Sequence, residues 1–505
     1  MGLLQPSLTP APFPVLTDPK PDDRTLPAFM VSTSRGFLPR MHPIFELPPA
    51  FAPVDALLQA MPVKKLDGTP GLLAHGGLGA AVAQLPDLTD EIDAYKKDVP
   101  MMNALYRDYS FLASAYLLEP CHERFVRGEG YGLARDVLPR QIARPIQRCA
   151  ELSGFMPWME YAGSYALFNY RLHDPSAGMA YGNLRLIRAF EHGLDPSSSE
   201  AGFVLVHIEM VKNSGPLVSA ALAALDAVQA SSLSTLAKRT AFNAGLRDML
   251  CALRTINSVM EMMWHKSQPR AYTSFRTFIF GITSQSMFPK GVVYEGVNDN
   301  KPMAFRGESG ANDSMVPLMD NFLQLPLPET PLTEILRDFR KYRPSNHREF
   351  LQWVRSMSSA LDLRAYALSL DSVGSATASA ALSVEEKAAV CESRALWIRL
   401  LDQVRDFRWR HWCFAREYIL KQTAHPTATG GSPIVTWLPN QLQAVMDEME
   451  AVYATVHGAG PDSNTDEEWG LGEEVADIMD KVARQNETLK KEVSRFCAER
   501  GVKRE

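Results

Sequence analysis

The stretch Arg405–Leu420, RDFRWRHWCFAREYIL, constrains this chain more than any other. Its composition is strongly helical. At helical spacing one stripe runs Leu400, Val404, Phe407, His411, Ala415, Tyr418. His411 is the one histidine on that apolar face. An imidazole turned into a core must be hydrogen-bonded and inert, or bound to a metal. No second His, Cys or carboxylate sits on the same face at ligand spacing, so a three- or four-ligand zinc site cannot be assembled locally. Haem iron asks for only one protein ligand on its proximal side, and a lone histidine suffices. The plain alternative is a satisfied core histidine.

The rest of the chain narrows the setting. Its 505 residues are enough for two or three domains. With 52 basic and 58 acidic residues the net charge is -6, which disfavours wholesale neutralisation of phosphates and hence nucleic acid as a partner. Six cysteines (121, 149, 251, 391, 413 and 497) form no CxxC pair and point to free thiols in a reducing compartment. No run has the length of a membrane span, and the N-terminus lacks a charged and an apolar signal region. A cytoplasmic protein with no membrane contact is expected.

Residues 1–30 are proline-rich and read as an extended arm. A small capping domain is expected over 31–195. It begins with the irregular, proline-broken stretch Gly36–Pro53 and continues with short helices near Glu91–Lys97, Met101–Leu118 and Gln141–Glu151. The polar break Gly193–Glu200 marks the boundary. A large helical domain is expected over 196–460, with helices at Ala201–Val211, Leu217–Ala230, Leu233–Trp264, Ser274–Phe280, Ser314–Phe322, Pro331–Tyr342, His347–Leu363 and Val384–Leu420. Ser372–Ser379 reads as a loop, and Gly291–Tyr294 is the only strand-like piece of this half. Residues 461–505 read as an acidic linker followed by a helix, Glu473–Ala498. Val475, Ile478, Val482, Leu489, Val493 and Phe496 stand near heptad spacing on it, a stripe suited to capping the fold or docking a protein partner.

Four further segments carry chemistry. Phe155–Leu172 is densely aromatic and suits a pocket wall or core packing. In Ala201–Met210, Phe203 and His207 share one helix face. In Ala271–Gly281, Arg276 stands among apolar residues without a nearby acid, so its guanidinium needs a distant carboxylate or that of a ligand. Thr427–Ser432 contains paired glycines that permit a mobile loop with free backbone donors. Gly307–Ala311 is close to a nucleophile elbow, but its fifth residue is alanine and no strand leads into it.

The ordered set RDFRWRHWCFAREYI, FRTFIFG, GVVYEGV, FRGESGANDS, YRPSNHREFL and TGGS resembles the indoleamine 2,3-dioxygenase family, in its fungal-type branch, from about Gly36 to about Glu450. The resemblance implies a mainly α fold: a large all-helical haem-binding domain capped by a smaller mixed, mostly helical one. It implies haem b as cofactor and L-tryptophan and O2 as substrates. The C2–C3 bond of the indole is opened to N-formylkynurenine, the entry to the kynurenine route toward nicotinamide cofactors. By position, His411 is implied as the proximal iron ligand and Arg276 as the holder of the substrate carboxylate. Thr429 and Gly430 fall on the loop that closes over the substrate. Tyr161, Ser164 and Phe203 fall in the distal pocket, and Gly307, Glu308 and Ser309 on the strip beside the haem. Asp320 is expected to orient the proximal histidine or the haem edge. Two positions depart from the mammalian pattern. His207 stands where those enzymes have serine, and can accept a hydrogen bond from the indole N–H as the distal histidine of the distantly related tryptophan dioxygenases does. Ala271 stands where they have a pocket phenylalanine, with Tyr272 as its neighbour. The same fold acting on other indole derivatives, or as a haem or oxygen sensor without turnover, are the alternative readings.

Overall fold

A computed structural model describes residues 9–326, 331–369, 382–425, 427–457 and 471–502. The fold is mainly α, as expected. Helices occupy most of it, and the described strands are two or three residues long. Val292–Tyr294 pairs in parallel with Val137–Leu138 and antiparallel with Pro302–Met303, while Tyr170–Leu172 pairs with Leu184–Leu186. The first of these small sheets ties the N-terminal part of the chain to the long helical part, through Val137 opposite Val293.

The 28-residue helix Val99–Val126 is the spine of the N-terminal part. Asp98 caps it by accepting the Met101 amide at 3.1 Å, and Pro100 occupies the first turn, where a missing N–H costs nothing. The sequence reading ends this helix at Leu118, yet it runs past Pro120 to Val126. The reason lies in Arg135. Pro120 cannot donate to the Tyr116 carbonyl, and the Arg135 guanidinium takes that carbonyl instead, while the Arg135 amide takes the Leu117 carbonyl at 3.0 Å. A second difference falls in the stretch read as irregular, whose last residues, Ala52 and Pro53, open the helix Ala52–Ala60 with proline in its first turn.

In the C-terminal part the helix Val384–Phe414 is central. A capping box starts it: Ser383 Oγ accepts the Glu386 amide at 3.2 Å and the Glu386 carboxylate accepts the Ser383 amide at 3.0 Å. Trp397, Leu400, Leu401 and Val404 bury its apolar side against Thr235–Met260 and Ile434–His457. Ser214–Gln229 and Ser199–Val211 pack on Thr235–Met260 in turn. The helix Ile434–His457 was not anticipated; Pro439 lies inside it and breaks the helical reading of that stretch. The loop expected at Ser372–Ser379 and the acidic linker before Glu473 lie outside the described residues.

The C-terminal helix Glu473–Arg500 uses its apolar stripe inside the molecule. Val475, Val482, Leu489, Val493 and Phe496 are buried where it lies along Ile434–His457 and Val384–Phe414. The stripe that suits a partner is thus covered by the chain itself. Among the described residues no helix is long and apolar enough to cross a membrane. All six cysteines are free.

Candidate active site

Past Phe414 the central helix widens into one π turn, Ala415–Leu420. The predicted stripe continues through the change, so Phe407, His411, Phe414, Ala415, Tyr418 and Ile419 all line one cavity. The opposite wall comes from far away in sequence. Tyr161 stands on another π turn, Tyr161–Tyr165, and Phe203, His207 and Met210 on the helix Ser199–Val211. Glu308, Ser309, Gly310 and Asp313 run along one edge, and Thr429, Ile434, Trp437 and Leu438 close another. The cavity has a volume of about 160 Å³. Two surface clefts of about 770 and 950 Å³ are larger but contain no histidine, so chemistry and not size selects the site.

His411 stands in this wall without a polar partner. Its ring makes no hydrogen bond to any described residue. It is accessible only to the degree that the cavity reaches it, and a second small space of about 70 Å³ touches its other side. Burial, then repulsion from His207 and Arg408, pushes its pKa down to about 4. At neutral pH it is an uncharged imidazole with a lone pair to give. His207 differs. Its Nδ1 lies 2.8 Å from the Phe203 carbonyl, which can only accept, so Nδ1 carries the proton and Nε2 keeps a bare lone pair. Burial also lowers its pKa, which keeps that tautomer neutral. The Tyr161 and Phe203 rings flank it at 5.8 and 4.9 Å. A Cβ at Gly310 would stand 3.8 Å from His207 Nε2, with no other heavy atom within 4 Å, so the glycine opens that edge of the cavity.

Glu308 is 3 % exposed and has no hydrogen-bond partner among the described residues. Burial raises its pKa to about 8, so it faces the cavity as a neutral acid. Asp313 is raised to about 6 by burial, against the Val316 and Met315 amides and the Arg343 charge that hold it down. Its Oδ2 accepts those two amides at 3.2 and 2.9 Å, and its Oδ1 has no partner.

Arg276 is fully buried beside Tyr272, which lines the cavity; Arg276 itself stands behind that wall. It donates through Nη2 to the Thr427 carbonyl at 2.8 Å and lies 4.6 Å from the centre of the Phe280 ring. Its Nε and Nη1 have no partner, and no described carboxylate pairs with it. A buried cation with two unused donors is costly unless an anion arrives. Ala271 is not in the cavity wall, and Tyr272 occupies that side.

Three residues named from the sequence serve the backbone instead of the lining. Ser164 Oγ donates to the Glu160 carbonyl at 2.8 Å and accepts the Glu160 amide at 2.9 Å, which fastens the π turn under Tyr161. Gly307 lets two strands of chain touch: a Cβ there would come within 2.2 Å of the Gly281 nitrogen. Gly430 packs on the Phe339 ring and Ser309. Asp320 does not reach His411. It accepts Arg408 Nη2 at 2.7 Å, three residues before His411, and both line the small space behind that ring. Sequence reasoning missed Asp313, although it lies in the FRGESGANDS strip. It also missed Ile434, Trp437 and Leu438, for which the broken period around Pro439 left no signal.

The donor set suits a metal that would take one protein ligand. Among the described residues no three His, Cys, Asp or Glu side chains gather into a metal-holding group. A flat iron macrocycle instead needs one neutral imidazole without a competing hydrogen bond, apolar walls and an edge free of side chains. His411, the aromatic and methionine lining, and Gly310 provide these.

Comparison with known proteins agrees. The family model for indoleamine 2,3-dioxygenase matches residues 25–464. Indoleamine 2,3-dioxygenase 1 of Mus musculus is 28 % identical over 320 residues, covering 62 % of this chain and 70 % of that protein. Indoleamine 2,3-dioxygenase nanC of Aspergillus nanangensis is 27 % identical over 369 residues, covering 69 % and 79 %. The 6-hydroxytryptophan 2,3-dioxygenase fscD of Fusarium equiseti is 25 % identical over 337 residues, covering 66 % and 74 %. With the match spanning most of its length and the cavity built around an unpartnered histidine, this chain belongs to the indoleamine 2,3-dioxygenase family, a family of haem-dependent dioxygenases.

Proposed function

We propose that this protein inserts both atoms of O2 across the indole C2–C3 bond of L-tryptophan and releases N-formylkynurenine. The observation that carries the reading is His411, a neutral, half-buried imidazole without a hydrogen bond to any described residue, which shares one cavity with His207 and apolar walls. In this reading His411 holds the iron of haem b, and the haem supplies the activation of O2. Both oxygen atoms end in the product and no hydrogen leaves the substrate, so the site needs no strong base. Its protein groups have to orient the indole and keep water out.

Arg276 takes the substrate carboxylate with the two donors that are unused in its absence. His207 Nε2 accepts the indole N–H, an assignment that follows from the tautomer fixed by Phe203. Thr429, with Gly430 beside it on the loop, closes the chamber over the amino group. Tyr161 and Phe203 hold the indole face, and Glu308, Ser309 and Gly310 border the haem. Asp320 acts on the proximal side only through Arg408. The six free thiols suit a reducing, cytoplasmic setting.

One observation favours a second reading, the same reaction on a ring-hydroxylated indole. An unsubstituted indole has a single N–H, which His207 accepts. Glu308 and the Tyr161 hydroxyl then remain in the cavity with no partner, and a phenolic oxygen would satisfy one of them. Turnover of L-tryptophan, 6-hydroxy-L-tryptophan, D-tryptophan and tryptamine under 18O2 separates the readings. The main proposal expects doubly labelled formylkynurenine from L-tryptophan at the highest kcat/KM. Single labelling, or no ring-opened product from any of the four, sinks it.

A further inference from the structure

The loop that brings Thr429 to the cavity is held by its carbonyl groups. The Thr427 carbonyl accepts Arg276 Nη2 at 2.8 Å, and that of Ala428 accepts Gln285 Nε2 at 2.7 Å. The Thr429 carbonyl accepts the Gly281 amide at 2.9 Å, and that of Gly430 accepts Arg306 Nη1 at 3.0 Å. Upstream of these the chain leaves the π turn at Leu420, and the carbonyls of Leu420 at the helix end and of Thr423, Ala424 and His425 just beyond it converge on one point. One side chain gathers them. Arg500 donates through Nη2 to Leu420 and Thr423 at 2.7 and 2.8 Å, and through Nη1 to Ala424 and His425 at 3.3 and 3.5 Å.

Arg500 ends the helix Glu473–Arg500, which lies beyond the stretch matched to the family, residues 25–464. That helix is fastened without Arg500. Its apolar stripe is buried, and Glu492 accepts Trp412 Nε1 at 2.7 Å and Arg416 Nη1 at 2.6 Å. The guanidinium is therefore a fixed point. A planar fork with several N–H groups suits a fan of carbonyls, which a lysine ammonium cannot span. The held segment leads within two residues to Thr427, the carbonyl that also engages Arg276.

We propose that Arg500 is a positioning residue: it anchors Thr423–His425 so that the following loop presents Thr429 to the cavity and Thr427 to Arg276. The C-terminal helix thus sets the tightness of the substrate loop while the iron-facing helix keeps its own packing. The effect on substrate rests on the dioxygenase reading, whereas the effect on the loop does not.

Hydrogen exchange on the full-length, haem-loaded protein tests it with Arg500→Ala, Arg500→Lys and, as a control at the far end of the same helix, Glu474→Gln. Peptides over 423–432 are expected to exchange about tenfold faster in Arg500→Ala, with Arg500→Lys between it and wild type. Peptides over 384–414, and the loop in Glu474→Gln, stay at the wild-type rate. In Arg500→Ala, KM for L-tryptophan rises roughly three- to tenfold while kcat and the Soret band hold. Unchanged loop exchange in Arg500→Ala overturns the proposal, as does equal loosening by Glu474→Gln, which would reduce Arg500 to one fastener of the helix among several. Faster exchange with an unchanged KM overturns the link to substrate. If wild type has no turnover at all, the dioxygenase reading fails and the exchange result still decides the anchoring.

Discussion

His411 and His207 face one cavity from two helices, and the fold prepares them for opposite tasks. His207 spends its Nδ1 proton on Phe203 four residues earlier, which fixes its tautomer and points a lone pair across the space. His411 makes no such bond: Asp320 and Arg408 line a second small space beside it, yet they pair with each other and leave the ring without a hydrogen bond to any described residue. A third histidine, His347, is buried more deeply and shows the contrast: its Nδ1 lies 3.3 Å from Ser314 Oγ and its Nε2 has no partner, but Phe29 and Phe37 box the ring edge-on and it lines none of the cavities described above. The difference teaches that burial alone does not mark a ligand. What marks it is burial combined with an unspent lone pair and open space in front.

The largest expected effect breaks the two cavity histidines apart. Purified His411→Ala is expected to lose the Soret band and all turnover, whereas His207→Ala retains the band. Optical spectra at equal protein concentration decide this. A full Soret band in His411→Ala would move the iron ligand elsewhere.

Next comes Arg276, whose two unused donors are the strongest polar feature near the distal wall. Arg276→Ala is expected to weaken L-tryptophan binding roughly ten- to a hundredfold, the cost of losing charge-assisted hydrogen bonds. Arg276→Lys should not restore it, because an ammonium lacks the paired geometry. Optical titration gives the affinity directly, and an unchanged value would place the carboxylate at another cation.

The wall that carries His411 was legible in the sequence because one helical period runs through it. Phe407, His411, Ala415 and Tyr418 sit on the predicted stripe and line the cavity, even though the helix changes pitch at Ala415. The distal wall has no such signal. It is assembled from Tyr161, His207, Glu308 and Thr429 in four separate segments, which no local pattern joins; only likeness to a known family drew them together. That likeness also named Ser164 and Gly307, whose work here is to fasten a turn and to let two segments of the chain touch. Local reading failed where tertiary contacts override proline. Arg135 lets the spine helix pass Pro120, and a helix runs through Pro439. No property of the sequence up to Pro120 indicates that a residue fifteen positions later will take the Tyr116 carbonyl that this proline leaves without a donor.

A smaller effect sharpens the role of His207. If its Nε2 accepts the indole N–H, His207→Ala should lower kcat/KM for L-tryptophan about two- to tenfold, the range of one neutral hydrogen bond. With 1-methyl-L-tryptophan, which has no N–H to give, wild type and variant should perform alike. A gap of the same size on both substrates would show that the ring only fills space.

The smallest effect concerns Glu308, the group on the distal edge that no protein residue satisfies. Its pKa rises from an unfolded value of 4.5 to about 8 on folding, by burial. The sign follows from proton binding. Between those limits the folded chain holds a proton that the unfolded chain has released. The stabilisation is therefore complete below pH 4.5 and is lost as pH rises through 8. Glu308→Gln has nothing to titrate, so its melting temperature at equal haem load should gain on wild type as pH climbs from 6 to 9, by about 1–3 °C. Glu160 and Glu200, also raised to about 8, remain in the variant, so the alkaline decline shrinks without vanishing. Glu160 and Glu200 each accept backbone amides that favour the anion, and Glu308 accepts none. Its carboxyl should accordingly be the most reluctant of the three to ionise. A gap between variant and wild type that stays constant from pH 6 to 9 would mean that Glu308 is already an anion at neutral pH. The distal chamber would then present a charge to the substrate in place of a hydrogen-bond donor.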